Sequence, residues 1–194
     1  MTGRQQTVGV LGSLCNPPHL GHLLLASEAA WQLGLDKVLL VPTGIPPHRD
    51  PPREPAEQRT RLAAALVTCD PVLELCRIEV DRTGPAYTAD TLEELKAAGV
   101  GELVLLLGAD QLAALHTWHD PDRVRAAARI AVAPRPGTPL GGDADVVRMP
   151  EIAISSSEIR RRVGAGEPIR HLVPDPVREI VEAERLYRRG AVVA

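Results

Sequence analysis

The sequence contains no phenylalanine and only two tryptophans and two tyrosines, so leucine, valine, isoleucine and alanine must build its core. With so few aromatic side chains and a net charge of −3, it lacks the basic, stacking surface that binds nucleic acids. Its three cysteines, Cys15, Cys69 and Cys76, have no CxxC spacing, which argues against disulfides and against a cysteine zinc site. We therefore expect reduced thiols and no nucleic-acid partner.

Long apolar runs are also missing, and none approaches the length of a membrane span. The first residues lead straight into a strand-like run and do not resemble a signal peptide. We therefore expect a cytoplasmic protein with no membrane partner. The chain has 194 residues, of which 44% are hydrophobic, and this suffices for a single domain with a sizeable core.

Apolar strand-like segments alternate with helix-like segments along almost the whole chain. This alternation predicts a Rossmann-like, doubly wound α/β fold with a mainly parallel sheet and helices on both faces. Ligands of such folds bind at the carboxyl ends of the strands, and the proline-rich loop 43–55 follows one of these ends. The predicted strands are 7–11, 37–41, 73–80, 102–107, 129–133 and 145–149, and the predicted helices are 21–33, 57–69, 88–98, 155–163 and 176–189.

Residues 8–22 (VGVLGSLCNPPHLGH) form the most informative segment. An apolar strand ends in a turn at Gly12, and His19 and His22 then open a helical pattern. Free backbone N–H groups and the helix dipole make such a junction an anion site, to which two imidazoles add donors. A zinc protease motif would need histidines four residues apart and a glutamate. The alternative interpretation is a pair of surface histidines at the start of a helix.

Residues 154–160 (ISSSEIR) form a second candidate phosphate site. Ser155 and Glu158 predict a capping box at the start of a helix. Ser156 and Ser157 then offer hydroxyls and free amides, and Arg160 lies one turn further on with a bidentate fork. The alternative is a capped surface helix with an incidental arginine.

The two segments together resemble a known superfamily. The first resembles the HxGH signature of the nucleotidyltransferases, which transfer a nucleotidyl group and release pyrophosphate, and the second is similar to their ISSTxIR signature. Three more segments resemble nicotinate-nucleotide adenylyltransferases: residues 41–49 (VPTGIPPHR), residues 87–92 (YTADTL), and residues 108–110 (GAD) followed by Trp118. These resemblances cover nearly the whole chain and imply transfer of AMP from ATP to nicotinate mononucleotide in NAD biosynthesis.

The resemblance also implies roles for individual residues. The catalytic residues would be His19, His22 and Arg160, and the segment of about residues 155–190 would complete the ATP site. Mg²⁺ would accompany ATP and be held mainly by phosphates and water, without a protein metal site. Further ATP contacts would come from Gly12, Ser13, His48, Arg49, Gly108, Asp110, Ile154, Ser156 and Ser157, and mononucleotide contacts from Asn16, Thr43, Tyr87, Thr88 and Trp118.

Several of these residues also have local structural interpretations. Asp110 suits a helix N-cap as well as a ribose contact, and Thr88 suits both an N-cap and a contact to the pyridine carboxylate. Trp118 offers a stacking face but also suits the core. Tyr187 and Trp31 fit ordinary helix packing, and no site role is predicted for either.

The chain departs from its relatives in the opening motif, where the usual pattern is G-G-(T/S)-F-(D/N). Here Ser13 replaces a glycine, Leu14 replaces a hydroxyl residue and Cys15 replaces an aromatic residue. This leaves two alternatives open: an adenylyltransferase for nicotinamide mononucleotide or pantetheine phosphate, and a nucleotide-binding protein without turnover. Whether the chain forms a homo-oligomer also stays open.

Overall fold

A parallel six-stranded sheet runs through the computed structural model, which describes residues 4–47, 50–134 and 144–188. The strand order is β3-β2-β1-β4-β5-β6, and every paired strand is parallel to its neighbour. This confirms the predicted Rossmann-like sheet. The strands are β1 (Thr7–Ser13), β2 (Lys37–Pro42), β3 (Leu73–Leu75), β4 (Glu102–Gly108), β5 (Arg129–Ala133) and β6 (Asp145–Val146).

Helices cover both faces of the sheet, as the doubly wound fold predicts. Within β2, Val38 and Leu40 lie in one hydrophobic core, whereas Leu39 and Val41 lie in the other. Strands buried on both faces need an unbroken apolar sequence such as KVLLV. One core includes side chains of α1 (Leu20–Leu33), α2 (Ala56–Val67), α7 (Ser156–Ala165) and α8 (Asp175–Ala183), and the other includes side chains of α4 (Thr88–Ala97) and α6 (Pro121–Ala127).

Two predicted strands are shorter than the sequence pattern indicated. The strand predicted over residues 73–80 ends at Leu75 as β3, and Ile78–Asp81 forms a short helix, α3. The strand predicted over 145–149 keeps only Asp145–Val146. Both lie at the edges of the sheet, where a strand has a single partner and pairing ends as soon as the chain turns away. A short apolar run does not by itself distinguish strand from helix.

Three predicted helix starts differ in detail. Thr88 is the first residue of α4, after the N-cap Tyr87, so the prediction that Thr88 is itself the N-cap was wrong. The Ser155 hydroxyl accepts from the backbone N–H of Glu158, but the Glu158 carboxylate accepts from Arg161 and Arg162, so only half of the predicted capping box forms. The last helix begins one residue before Pro176 and ends at Ala183 instead of continuing toward 189.

The carboxyl ends of β1, β2 and β4 meet along one edge of the sheet. Gly12 is opposite Val41 and Ser13 is opposite Pro42 across the β1–β2 pair, and Val10 is opposite Leu105 across β1–β4. β4 continues directly into the helix α5 (Ala109–Ala114). The loops that follow these strands therefore share one rim. No helix within the described ranges has the length and apolar character needed to cross a membrane.

Candidate active site

His19 and His22 cap the N-terminus of α1 with their imidazole rings. His19 is the N-cap, and its Nδ1 accepts from the backbone N–H of Gly21 at 3.1 Å. In return, Nδ1 of His22 accepts from the backbone N–H of His19 at 3.2 Å. This is the reciprocal bonding of a capping box, built from two histidines in place of serine and glutamate. The spacing of three residues between the histidines is the spacing that such a box requires.

Gly21 makes room for this arrangement. A Cβ atom at position 21 would lie 2.9 Å from both Cε1 and Nδ1 of the His19 ring. The ring folds over the first turn of α1 because residue 21 has no side chain. A side chain at position 21 would therefore displace the His19 ring from its place on the first turn.

The hydrogen bonds also determine where the imidazole protons lie. Because Nδ1 accepts in both rings, each neutral ring carries its proton on Nε2. Burial lowers the pKa of His22 to about 4, so this ring is neutral near pH 7. Nε2 of His22 lies 2.9 Å from Oγ of Ser13 and donates to it. His22 therefore presents a neutral N–H donor at the end of β1.

Ser13 is part of this arrangement and not merely a tolerated substitution. Its Oγ accepts from the backbone N–H of Cys15 at 3.1 Å as well as from His22, so its hydroxyl proton can be donated to a ligand. Leu14 lines the neighbouring pocket, whereas Cys15 is fully buried in the core. Burial raises the pKa of the Cys15 thiol to about 12, so it is not a nucleophile at neutral pH.

The second motif is bonded directly to the first. Ser156 Oγ donates to the carbonyl oxygen of Pro17 at 2.8 Å, and Arg160 Nη1 donates to the carbonyl oxygen of Asn16 at 2.6 Å. Arg160 Nη2 also donates to Oγ of Ser157 at 3.3 Å. These bonds join residues that are 139 and 144 positions apart along the chain, so the second motif lies in contact with the turn after β1.

A central pocket opens at the carboxyl ends of β1, β2 and β4. It brings together six of the residues that the sequence predicted: Gly12, Ser13, Thr43, Tyr87, Thr88 and Trp118. Backbone bonding contributes to this, because the N–H of Thr43 donates to the carbonyl of Ser13 at 2.8 Å. Trp118 also packs against the core of that face, so both interpretations of it have support. The other lining residues include Leu14, Pro46, Pro47, Glu79, Thr91, Gln111 and His119.

Other predicted residues lie outside this pocket. Asn16 is 4% exposed, and its side chain bonds Glu54 at 2.9 Å and Tyr187 at 2.7 Å. It therefore stabilises the turn after β1 from its buried side. Ile154 packs against the core. Gly108 ends β4, and Asp110 is exposed in the first turn of α5, where Gly108 and not Asp110 is the N-cap. His48 and Arg49 lie outside the described residues, and their predicted roles stay predictions.

Two aromatic residues differ from the sequence interpretation. Trp31 was expected to pack in a helix interface but is 81% exposed. Tyr187, to which no site role was given, donates from its hydroxyl to Oδ1 of Asn16. Burial raises the pKa of Tyr187 well above its usual range, so the phenol keeps its proton. It therefore joins the C-terminal segment to the opening motif.

Sequence reasoning missed Arg59, which is 1% exposed beneath the site. Its guanidinium donates to three backbone carbonyls: Leu14 at 2.8 Å, Gly44 at 3.1 Å and Glu54 at 3.2 Å. These carbonyls belong to the β1 turn and to two parts of the loop after β2. Arg59 therefore holds the walls of the central pocket together. An arginine in an otherwise helical surface pattern gave no signal of this role.

Gly44 is enclosed so tightly that we expect Gly44→Ala to destabilise the fold. A Cβ atom there would lie 2.1 Å from the backbone oxygen of Glu79, which is closer than atoms can pack. We expect the free energy of unfolding to fall by about 2–3 kcal/mol, as for other overpacked core positions. Urea unfolding measures it. Gly12→Ala is the matched control for stability, because a Cβ atom there meets nothing within 4 Å. Equal stability of the two variants would contradict this account.

The described part of the chain contains no group of three or more His, Cys, Asp or Glu side chains placed to hold a metal ion.

Comparisons with known proteins agree with this geometry. The cytidylyltransferase-like family matches residues 11–162 of the chain. A curated protein of Thermus thermophilus, named "Probable nicotinate-nucleotide adenylyltransferase", is 41% identical over 185 residues, which cover 93% of this chain and 99% of that protein. One of the same name from Exiguobacterium sibiricum is 38% identical over 185 residues, with 93% and 98% covered.

Solved structures show the same fold. The nicotinic acid mononucleotide adenylyltransferase of Plasmodium falciparum, complexed with APC, matches with a TM-score of 0.78 over 94% of this chain and 97% of that one. Its sequence is 12% identical, so this likeness concerns the fold alone.

Proposed function

We propose that this chain transfers AMP from ATP to nicotinate mononucleotide. The premise is that the chain belongs to the nicotinate-nucleotide adenylyltransferase group of the cytidylyltransferase-like family. The products are deamido-NAD and pyrophosphate, which places the reaction in NAD biosynthesis. One observation supports this assignment above the others. The two motifs that would hold the triphosphate are hydrogen-bonded to each other, next to a pocket lined by Tyr87, Thr88 and Trp118.

The proposed reaction is a direct displacement. A 5′-phosphate oxygen of the mononucleotide forms a bond with the α-phosphorus of ATP. The bond from that phosphorus to the oxygen that bridges to the β-phosphate breaks, and pyrophosphate leaves with the electron pair. The nucleophile needs no strong general base, because the second pKa of a phosphate monoester is about 6. Catalysis then consists of positioning the reactants and stabilising charge.

The position of each side chain determines the part of the substrates to which we assign it. At the turn after β1, a bound phosphate would take over the neutral Nε2–H of His22, which bonds Ser13 in the structure, and would accept a hydrogen bond from the Ser13 hydroxyl. Arg160 contributes a fixed positive charge from α7. We assign these groups, with His19, to the α-phosphate and the departing pyrophosphate. Tyr87, Thr88 and Trp118 would hold the pyridine ring.

The remaining assignments extend this proposal. A Mg²⁺ ion entering with ATP would neutralise charge on the phosphate oxygens. His48 and Arg49 would close over the outer phosphates from the loop after β2. The C-terminal segment completes the ATP site, and the bonds from Ser156 and Arg160 to residues 16 and 17 support this.

A substrate panel tests the proposed function. Purified protein with ATP and Mg²⁺ is given nicotinate mononucleotide, nicotinamide mononucleotide or phosphopantetheine, and pyrophosphate release is measured. We expect nicotinate mononucleotide to give the highest kcat/KM. A better rate with either other acceptor would contradict the substrate assignment. Binding of ATP by calorimetry without product from any acceptor would contradict the enzyme assignment.

A further inference from the structure

Glu79 is a buried carboxylate in the lining of the central pocket, and the proposed mechanism does not use it. The residue is 6% exposed. Thr91 Oγ1 donates to its Oε1 at 2.9 Å, and the backbone N–H of Gly44 also donates to the carboxylate. Both partners belong to elements that border the pocket. The carboxylate is therefore held in one place against the pocket.

The charge around Glu79 is unevenly distributed. Among the described residues that line the central pocket, Glu79 is the only carboxylate, and none is lysine or arginine. Arg82, which follows α3, and Arg59 on α2 attract its charge from the protein side. Burial outweighs this attraction and raises the pKa of Glu79 to about 7. A cation that entered the pocket would therefore favour the ionised carboxylate, whereas a neutral ring would not.

We infer that Glu79 is a specificity-determining residue, which selects mononucleotides whose ring carries a positive charge. The inference rests on the proposed function, since the pyridine ring of nicotinate mononucleotide is such a cation. Attraction between opposite charges is stronger beside a buried carboxylate than in bulk water, because the effective dielectric constant there is lower. The negative carboxylate of the ring has a separate place, because Thr88 lines the pocket at the first turn of α4, where the helix dipole favours anions.

The test uses two ligands that differ in ring charge alone. One is nicotinate mononucleotide, and the other is its carbon-linked analogue, the 5′-phosphate of a 3-carboxyphenyl riboside. The analogue has the same flat shape, carboxylate and phosphate, but its ring is neutral. Calorimetry without ATP gives both dissociation constants, and pyrophosphate release gives kcat/KM. The binding measurement does not depend on turnover.

In Glu79→Gln we expect the affinity for the pyridinium ligand to fall about tenfold at pH 8, and the affinity for the neutral analogue to change less than threefold (order-of-magnitude values for a partly screened charge pair). If Glu79 had a purely structural role, the substitution would lower the affinity for both ligands equally, and that result would overturn the inference. Glu94→Gln is the matched control. Its carboxylate pairs with Arg82 at 3.0 Å but does not line the pocket, so the ratio of the two affinities should stay unchanged.

A pH series tests the same inference in the unmodified protein, without relying on the folding of a variant. As the pH falls from 8 to 5.5, Glu79 takes up a proton, and the preference for the pyridinium ligand should decrease. Arginine side chains stay protonated throughout this range, and burial raises the pKa values of the nearby thiols Cys15 and Cys76. A preference that does not change with pH would overturn the inference.

Other titrating groups do not account for the expected pH dependence. Titration of the ligands' own phosphate and carboxylate cancels in the ratio of the two dissociation constants. Glu79→Gln retains His119, so any contribution of that histidine persists in the variant. Selective binding without turnover would contradict the proposed function but support the role of Glu79. Turnover of nicotinate mononucleotide with no selectivity for ring charge would support the proposed function but contradict the role of Glu79.

Discussion

His22→Ala is expected to lower kcat about 100- to 1000-fold, which is the usual cost of removing one donor that acts on developing charge. The physical reason is the neutral Nε2–H group of His22, which lies at the turn after β1 and donates to Ser13 at 2.9 Å. Pyrophosphate release at saturating substrates measures the effect. Thermal unfolding and circular dichroism then show whether the fold is retained.

A second substitution separates catalysis from helix capping. His22 also accepts from the backbone N–H of His19, so alanine at position 22 removes a cap worth about 1 kcal/mol. Glutamine is the usual acceptor at this capping position, so His22→Gln should recover stability but not turnover. His116→Ala, which replaces an exposed histidine, is the matched control, and its turnover and stability should equal those of the unmodified enzyme. Turnover within about threefold of the unmodified enzyme in His22→Ala would contradict its assigned role.

Arg160→Ala is expected to lower kcat/KM for ATP about 100-fold, with little change in KM for the mononucleotide. The guanidinium is held by the carbonyl of Asn16 at 2.6 Å and by Ser157 at 3.3 Å, so its position beside the first motif is defined before any ligand binds. Arg160→Lys keeps the charge but loses the bidentate geometry of the guanidinium, so its kcat/KM for ATP should lie between those of Arg160→Ala and the unmodified enzyme. Initial rates at varied ATP concentration measure this.

Arg161→Ala is the matched control for Arg160. Arg161 is the next residue of α7, but its side chain pairs with Glu158 and Glu167 on the surface. Exposed pairs of this kind contribute little, so its removal should change stability by less than about 1 kcal/mol and leave kcat/KM within about twofold. If Arg160→Ala and Arg161→Ala behaved alike, Arg160 would have no special role at the triphosphate.

Much of the fold could be predicted from local patterns. Unbroken apolar runs such as KVLLV identified β2 and β4, and the alternation with helices predicted the parallel sheet. The errors fell at β3 and β6, where edge position and not composition limits the strand. The spacing of His19 and His22 is that of a capping box, but its meaning became visible only when both Nδ1 atoms were found on backbone N–H groups.

The supporting residues of the site could not be predicted in the same way. Arg59 reaches Leu14 across 45 positions, and Tyr187 reaches Asn16 across 171. Nothing in the local sequence of Arg59 or Tyr187 marks a partner so far away. Trp31 shows the opposite error, because an aromatic residue in a helical pattern suggested burial and the packing left it exposed.

The sequence by itself determined the fold class, the central strands and the two motifs that mark the site, because each depends on residues close together along the chain. Only the tertiary structure decided that His22 is a neutral donor, that Ser13 is its partner, and that Glu79 is a carboxylate of the central pocket. The reason is physical. Protonation and burial depend on the distances between side chains from different elements, and folding sets those distances.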